Sequence, residues 1–502
     1  MLAPTFRPTR RLSTSFPLTF AALLAVIPAS GLGLVVTGCD AESSASEQPG
    51  PDGGPPPADG SPNGPEDGGN DGSDDDDPNT IRFADAFPRA AHARPRGGWA
   101  VLLDRPVYLR KVHGRPDRQI ALLDALGKEQ ARLGPATGRE LIDVAVHGSG
   151  ALTALEASDD GYFLVRFDAA GARLRETPLV DDAIYTDLPK MHEDDVHRSR
   201  IEPHTHDAGR ILAASEGVVL ATRTGRHSVV AYGVAFDPAS GYAPAWRTLV
   251  VPAHGITQVA LIGGSYDTFG QLDAPYVPHL ARDASGTIYV GVQHARLEGG
   301  LMVKAFESVF GEKVTTDPDR LDLFVTRITH GGERLGISVV GTPEDDQLYG
   351  LRSETSGAMV LGRSELWNAE GTGFEALVGH VASDGSVTVD RFDVERSDIA
   401  FDALRTSSGD VIAVGARGYS QNPRGASVSE ESYPFALVRS SGATTRALSL
   451  PQGPRHGEAR FVMPTTDGRL LVGGMLDGPG THSADGDQTL LRTRGFIRFV
   501  TP

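Results

Sequence analysis

Apolar residues along this chain come in short runs of four to six, each led by a glycine. Seven such runs recur: Gly98-WAVLLD, Gly150-ALTALEA, Gly217-VVLATRT, Gly286-TIYVGV, Gly357-AMVLGR, Gly409-DVIAVGA and Gly468-RLLVGGM. Their glycines are spaced by 52, 67, 69, 71, 52 and 59 residues. Turn-forming residues precede several of them (Ser285, Ser356, Ser408, Thr466-Asp467), which is how a tight hairpin entry into a strand reads. After each of the first six comes a second pattern of an apolar strand, a short turn and another strand. Examples are YFLVRFDAAGARLRE from Tyr162, DLFVTRITHGGERLGISV from Asp322, ALVGHVASDGSVTVDRF from Ala376 and FALVRSSGATTRALSL from Phe435. Helical periodicity is nearly absent; the insertion 301–310 (LMVKAFESVF) alone sets Val303, Phe306 and Phe310 on one side of a short helix, which is expected to pack on the body of the fold, the alternative being a partner-binding helix.

Units of 50–70 residues with three or four short strands each are the sequence mark of propeller blades, so residues 81–502 are expected to form an all-β, seven-bladed β-propeller. A pair of β-sandwiches is the competing reading, although it has no need of seven similar units. Ring closure supplies a check. The last repeat has its glycine-led strand and one more, Gly495-FIRFVT, and then lacks an outer strand. At the other end Thr80-IRFADAF precedes the first full unit without a place in it. Pairing the two would remove an exposed edge and lock the ring. In strand pattern this region resembles the bacterial seven-bladed propeller repeat proteins of exported, often lipid-anchored chains. That resemblance implies architecture and not activity.

The first 38 residues have a different character. They carry Arg7, Arg10 and Arg11 and no acid, followed by the apolar stretch Phe16–Val36 and then Val36-Thr37-Gly38-Cys39. A basic leader, an apolar run and small residues before a cut site form the plan of a secretory signal. The last four residues resemble the bacterial lipobox. The resemblance implies cleavage between Gly38 and Cys39, diacylglycerol on the Cys39 thiol and a further acyl chain on the freed amine. The alternative is an uncleaved membrane anchor, since 21 residues suffice for a span; Pro28, Gly31 and Gly33 make it a poor helix. Cys39 is the single cysteine of the 502 residues, so no intrachain disulfide forms, and it stands where acylation needs a thiol. More than one acyl chain gives stable anchoring. The expected setting is the cell envelope, at the outer membrane or the periplasmic face of the inner membrane.

From residue 40 to 80 there are twelve acidic residues, no Lys or Arg, and abundant Gly, Pro and Ser. Such a composition cannot bury enough surface to offset chain entropy, and residues 39–80 read as the acylated cysteine and a disordered acidic linker. A flexible chain of that length spans roughly 35 Å on average. Asp74–Asp77 lacks the alternating ligands of a calcium loop and reads as spacer. With leader and linker set aside, the net charge of −18 falls to −9 for residues 81–502, which argues against nucleic acid as a partner.

If the strands of each blade run from the axis outward, the innermost-to-second and third-to-outermost turns share one face. They are short here. Segments 179–207 and 251–276 read as connections between blades, and 294–321, 417–432 and 476–489 as second-to-third connections, so every long insertion falls on the opposite face. Long loops on a rigid scaffold are where binding is built. Tyr266, Phe269, Tyr276, Trp367 and Tyr419 fall in or beside them, suiting a protein or glycan surface or equally serving as loop anchors. Segment 179–207 holds His192, His197, His204 and His206. The first two are five apart, outside the HExxH zinc motif, whereas His204 and His206 would share one strand face and suit a shared zinc or calcium ion. A solvated polar loop is the plainer reading, and no cofactor is expected otherwise. No nucleophile elbow, P-loop or dinucleotide fingerprint is present. The expected function is therefore a tethered propeller that binds an envelope protein or glycan without catalysis. The alternative is a metal-dependent envelope hydrolase or lyase with its site near the axis.

Overall fold

The computed structural model describes residues 77–502, apart from 85, 106–107, 110–111, 114–116, 159–160, 180–208, 225–227, 252–277, 294–305, 315–322, 345, 369–370, 393–397, 418–432, 441–444, 453–456 and 478–492. Within it the chain forms seven four-stranded antiparallel sheets and a small hairpin, Tyr108–Leu109 with Val112–His113. Six sheets are consecutive in sequence and ordered from one edge to the other. Their innermost strands are Phe87–Ala93, Glu140–Val146, Gly209–Ala214, His279–Arg282, Asp346–Ser353 and Ile399–Arg405, and that of the seventh is Gly457–Pro464. Each innermost strand contacts the next, and the seventh contacts the first, which closes the ring. The protein is a seven-bladed β-propeller. All seven glycine-led runs are the second strands of their blades, and the paired strands after them are the third and outermost.

The seventh sheet is composite. Thr80–Phe83 pairs with Thr493–Val500, Thr80 opposite Arg498 and Phe83 opposite Gly495, supplying the outer strand the last repeat lacks. Arg498 Nη1 reaches Asp77 Oδ2 at 3.0 Å, and the Trp99 ring meets Phe499 edge-on at 5.6 Å across the seam. The sequence segment read as one closing strand in fact serves two blades. Its first four residues close the seventh, and Phe87 already begins the innermost strand of the first.

Alternation of side chains buries one face of each sheet against each neighbour, so the core is divided into seven apolar clusters, one at each blade junction. The helical turn 306–310 caps one of them: Phe306 is buried beneath it and Phe310 packs alongside, as the spacing predicts; Val303 lies outside the described residues. Hairpin turns follow local chemistry. In Asp124–Lys128 the Asp124 carboxylate accepts the amides of Leu126 and Lys128, both at 2.9 Å, and Gly127 takes the left-handed conformation (φ 82°) that closes the three-residue loop.

Candidate binding face and axial opening

Strand order settles where the connections emerge. Every innermost-to-second and third-to-outermost turn within the ring has two to five residues, and all lie at one end of the strands. The connections between residues 178 and 209, 251 and 279, 293 and 323, 417 and 433, and 477 and 493 all leave from the other end. A sixth, carrying the small hairpin between Arg105 and Asp117, joins them there and was not flagged by composition. On the same side the second and third strands of blade five, Gly357–Asn368 and Gly371–Ala382, run past their neighbours. Pairing continues to Asn368 opposite Gly371, whereas the innermost strand reaches only to Ser364. Trp367 sits on this projecting ribbon, opposite Thr372. Tyr266, Phe269, Tyr276 and Tyr419, and the histidines 192, 197, 204 and 206, fall in the long connections and outside the described residues, as do Gly38 and Cys39. Among the described residues no three His, Cys, Asp or Glu side chains are arranged to hold a metal.

Where this face meets the axis, a set of side chains comes together that the sequence reading did not single out. The innermost strands of blades five, six and seven each carry a β-bulge against the second strand, at Tyr349, Phe401 and Arg460. A bulged residue has no partner in the ladder and is re-aimed. Here the three meet side by side around the axis, partly open to solvent. The Tyr349 and Phe401 rings stand edge to face at 5.3 Å and 84°, and the Arg460 guanidinium lies over Phe401 with its Cζ 4.0 Å from the ring centre. The signal for this was legible in hindsight. The second strands of these blades carry Gly362, Gly415 and Gly474, and a Cβ at each would overlap the carbonyl oxygen that the bulge presses inward, that of Gln347, Ile399 and Glu458 respectively.

Three arginines around the axis have carboxylate partners. Arg460 bonds Glu458 of its own strand. Arg89, bulged in blade one, lies 3.4 Å from Asp104, which the buried Arg118 also approaches at 3.5 Å. Arg352 Nη1 is 3.1 Å from Asp402 Oδ2. Asp402 also accepts the amide of Val462 from the next blade at 2.9 Å, as Asp143 accepts that of Ile211 at 3.0 Å, so each fastens a blade to its successor. Burial pushes the Asp402 carboxyl above the usual carboxylate range, against the opposing pull of Arg352 and the two amides. Burial likewise holds His92 below the ordinary imidazole value, with Arg352 adding to that effect and Asp143 opposing it. Tyr349 Oη donates to Gln347 Oε1 at 3.0 Å. A cavity of about 410 Å³ lies away from this opening, at the closing seam beside Ile81, Phe83 and Arg132.

No family model and no curated protein sequence matches the chain. Among solved structures, YCF48 bound to D1 peptide is similar at a TM-score of 0.42 and 10% identity, over 85% of this chain and 97% of that one. Drosophila Plexin A in complex with Semaphorin 1b gives 0.41 and 9%, over 84% and 86%. The β-propeller domain of the trilobed protease from Pyrococcus furiosus, described as having an open velcro topology, gives 0.39 and 8%, over 84% and 97%. Propellers serve binding proteins and enzymes alike, and a likeness at this level carries no activity across. The architecture rests on the strand order itself.

Proposed function

We propose that this protein is an exported lipoprotein, anchored in the cell envelope by acyl chains on Cys39, whose propeller presents its loop-rich face to an envelope protein or glycan and has no catalysis of its own. The observation that carries the binding reading is the one-sidedness of the ring: every long connection leaves from one end of the strands, and the projecting ribbon of blade five leaves from the same end. Short turns cover the opposite end, where little recognition surface can be built. The anchoring reading is supported by the sequence alone, through the basic-apolar leader and the unique cysteine behind it.

Two measurements test the halves separately. Metabolic labelling with a palmitate analogue should mark the wild-type chain and leave Cys39→Ser unlabelled; label on the variant would sink the lipoprotein reading. A photo-crosslinking amino acid at position 367 should trap an envelope component in whole cells, whereas the same group at the exposed Leu126, on the short-turn face, should not. Equal trapping from both positions would sink the assignment of the binding face.

A further inference from the structure

Resting on the binding reading above, we infer that the axial opening of the loop-rich face takes the end of a neutral oligosaccharide, with a sugar ring stacked on Phe401. Phe401 and Tyr349 offer partly solvent-exposed aromatic surface at the axis. An aromatic face held in place by neighbours suits the apolar face of a sugar ring, and a few fixed polar groups around it supply orientation. Both are present. Arg460 clamps one side of the Phe401 ring, and the Tyr349–Gln347 hydrogen bond fixes the tyrosine beside it.

Charge decides the class of ligand. Three arginines near the axis, Arg89, Arg352 and Arg460, are each paired with a carboxylate, so these side chains offer fixed donors and acceptors with their charges balanced within each pair. A carboxylated or sulfated saccharide would have to displace one of those acids, and it would approach a domain of net charge −9, which repels it. Hydroxyl groups carry donor and acceptor together and can bond to both members of an ion pair without separating them. The same balance disfavours the terminal carboxylate of a peptide.

The test uses the full chain purified in detergent and a panel of neutral oligosaccharides (gluco-, manno- and N-acetylglucosamine series) beside acidic ones (uronic acid and sulfated series), with affinity read by calorimetry. At least one neutral series should bind, and Phe401→Ala should weaken it tenfold or more. Arg460→Lys, which keeps the charge and loses the flat stack, should weaken it severalfold at an unchanged melting temperature; it serves if the alanine variant does not fold. Preference for the acidic series would overturn the inference, as would neutral binding that neither variant weakens. If no saccharide binds while position 367 still traps an envelope protein, this inference fails and the face assignment stands. If trapping fails while saccharides bind and Phe401→Ala weakens them, the protein-partner form of the reading fails and the axial site stands.

Discussion

His147 is buried between blades two and three, with Nδ1 2.9 Å from the carbonyl oxygen of Ser215 and Nε2 2.7 Å from the Thr153 hydroxyl. A carbonyl only accepts, so Nδ1 carries the proton of the neutral ring and Nε2 accepts from Thr153, whose oxygen in turn bonds the Tyr242 hydroxyl. Burial holds the imidazole below its ordinary value, and the Arg166 charge adds to this against the Ser215 carbonyl and Glu216. A second proton would also turn Nε2 into a donor and break the chain. Because the folded value is depressed, the native state resists protonation that the unfolded chain accepts near pH 6.5. Stability is thus whole above that pH and falls as pH drops through the folded value. Urea midpoints should therefore fall between pH 7.5 and 5.5, and His147→Asn should show a shallower fall, His92 supplying the same sign in both proteins. Parallel slopes would remove His147 from the explanation. The same hydrogen-bond chain was invisible in sequence, since residues 147, 153, 215 and 242 meet only when two blades pack.

At the scale of the strand, the glycines of the second strands have two separate jobs. Those that open the strand, such as Gly409 at φ 91°, complete a hairpin turn that reads directly from Ser-Gly and Asp-Gly pairs. Those near its end, Gly362, Gly415 and Gly474, make room for the bulge carbonyl of the innermost strand. Gly415→Ala should cost about 1–3 kcal/mol by overpacking, read as a lowered urea midpoint. Gly134→Ala, where a Cβ meets open space, is the near-neutral control; equal effects would refute the close-approach argument. The helical turn at 306–310 was legible from its spacing, because i and i+4 share a face on any helix. Phe306 is fully buried, 5.7 Å from Phe324 and 5.8 Å from Phe310 by ring centres. Phe306→Ala is expected to cost about 3–5 kcal/mol in the same measurement; a loss under 1 kcal/mol would mean that the turn is not part of the junction core.

For the ring as a whole, the four-residue closing strand is the joint between first and last blades. Removing residues 77–83 leaves Phe87–Ala93 intact and uncovers the outer edge of Thr493–Val500. An uncovered edge is a template for pairing with another chain. The shortened protein should melt earlier and self-associate, as seen by calorimetry and light scattering; an unchanged melt with no association would show that the ring holds without its closing strand. Because each junction core is shared by two blades, loss at the seam is expected to spread to both neighbours rather than free a single blade.

Blade number, the identity of the second strands, the closing partner of the last repeat and the face taken by the long connections were all determined by the sequence itself. Each depends on local pattern: alternation fixes which side of a strand is buried, turn residues fix where it reverses, and the count of incomplete units fixes how the ring must close. The axial set Tyr349, Phe401 and Arg460, and the neutrality of its ion pairs, were decided by the tertiary structure alone. These residues lie 52 and 59 positions apart, the same spacing as the leading glycines of their repeats, yet they share no motif, and an equal place in three repeats does not by itself show that three side chains meet. Only the radial packing of seven sheets brings the innermost strand of every blade to one axis, and only the bulges there turn three unrelated side chains into one surface.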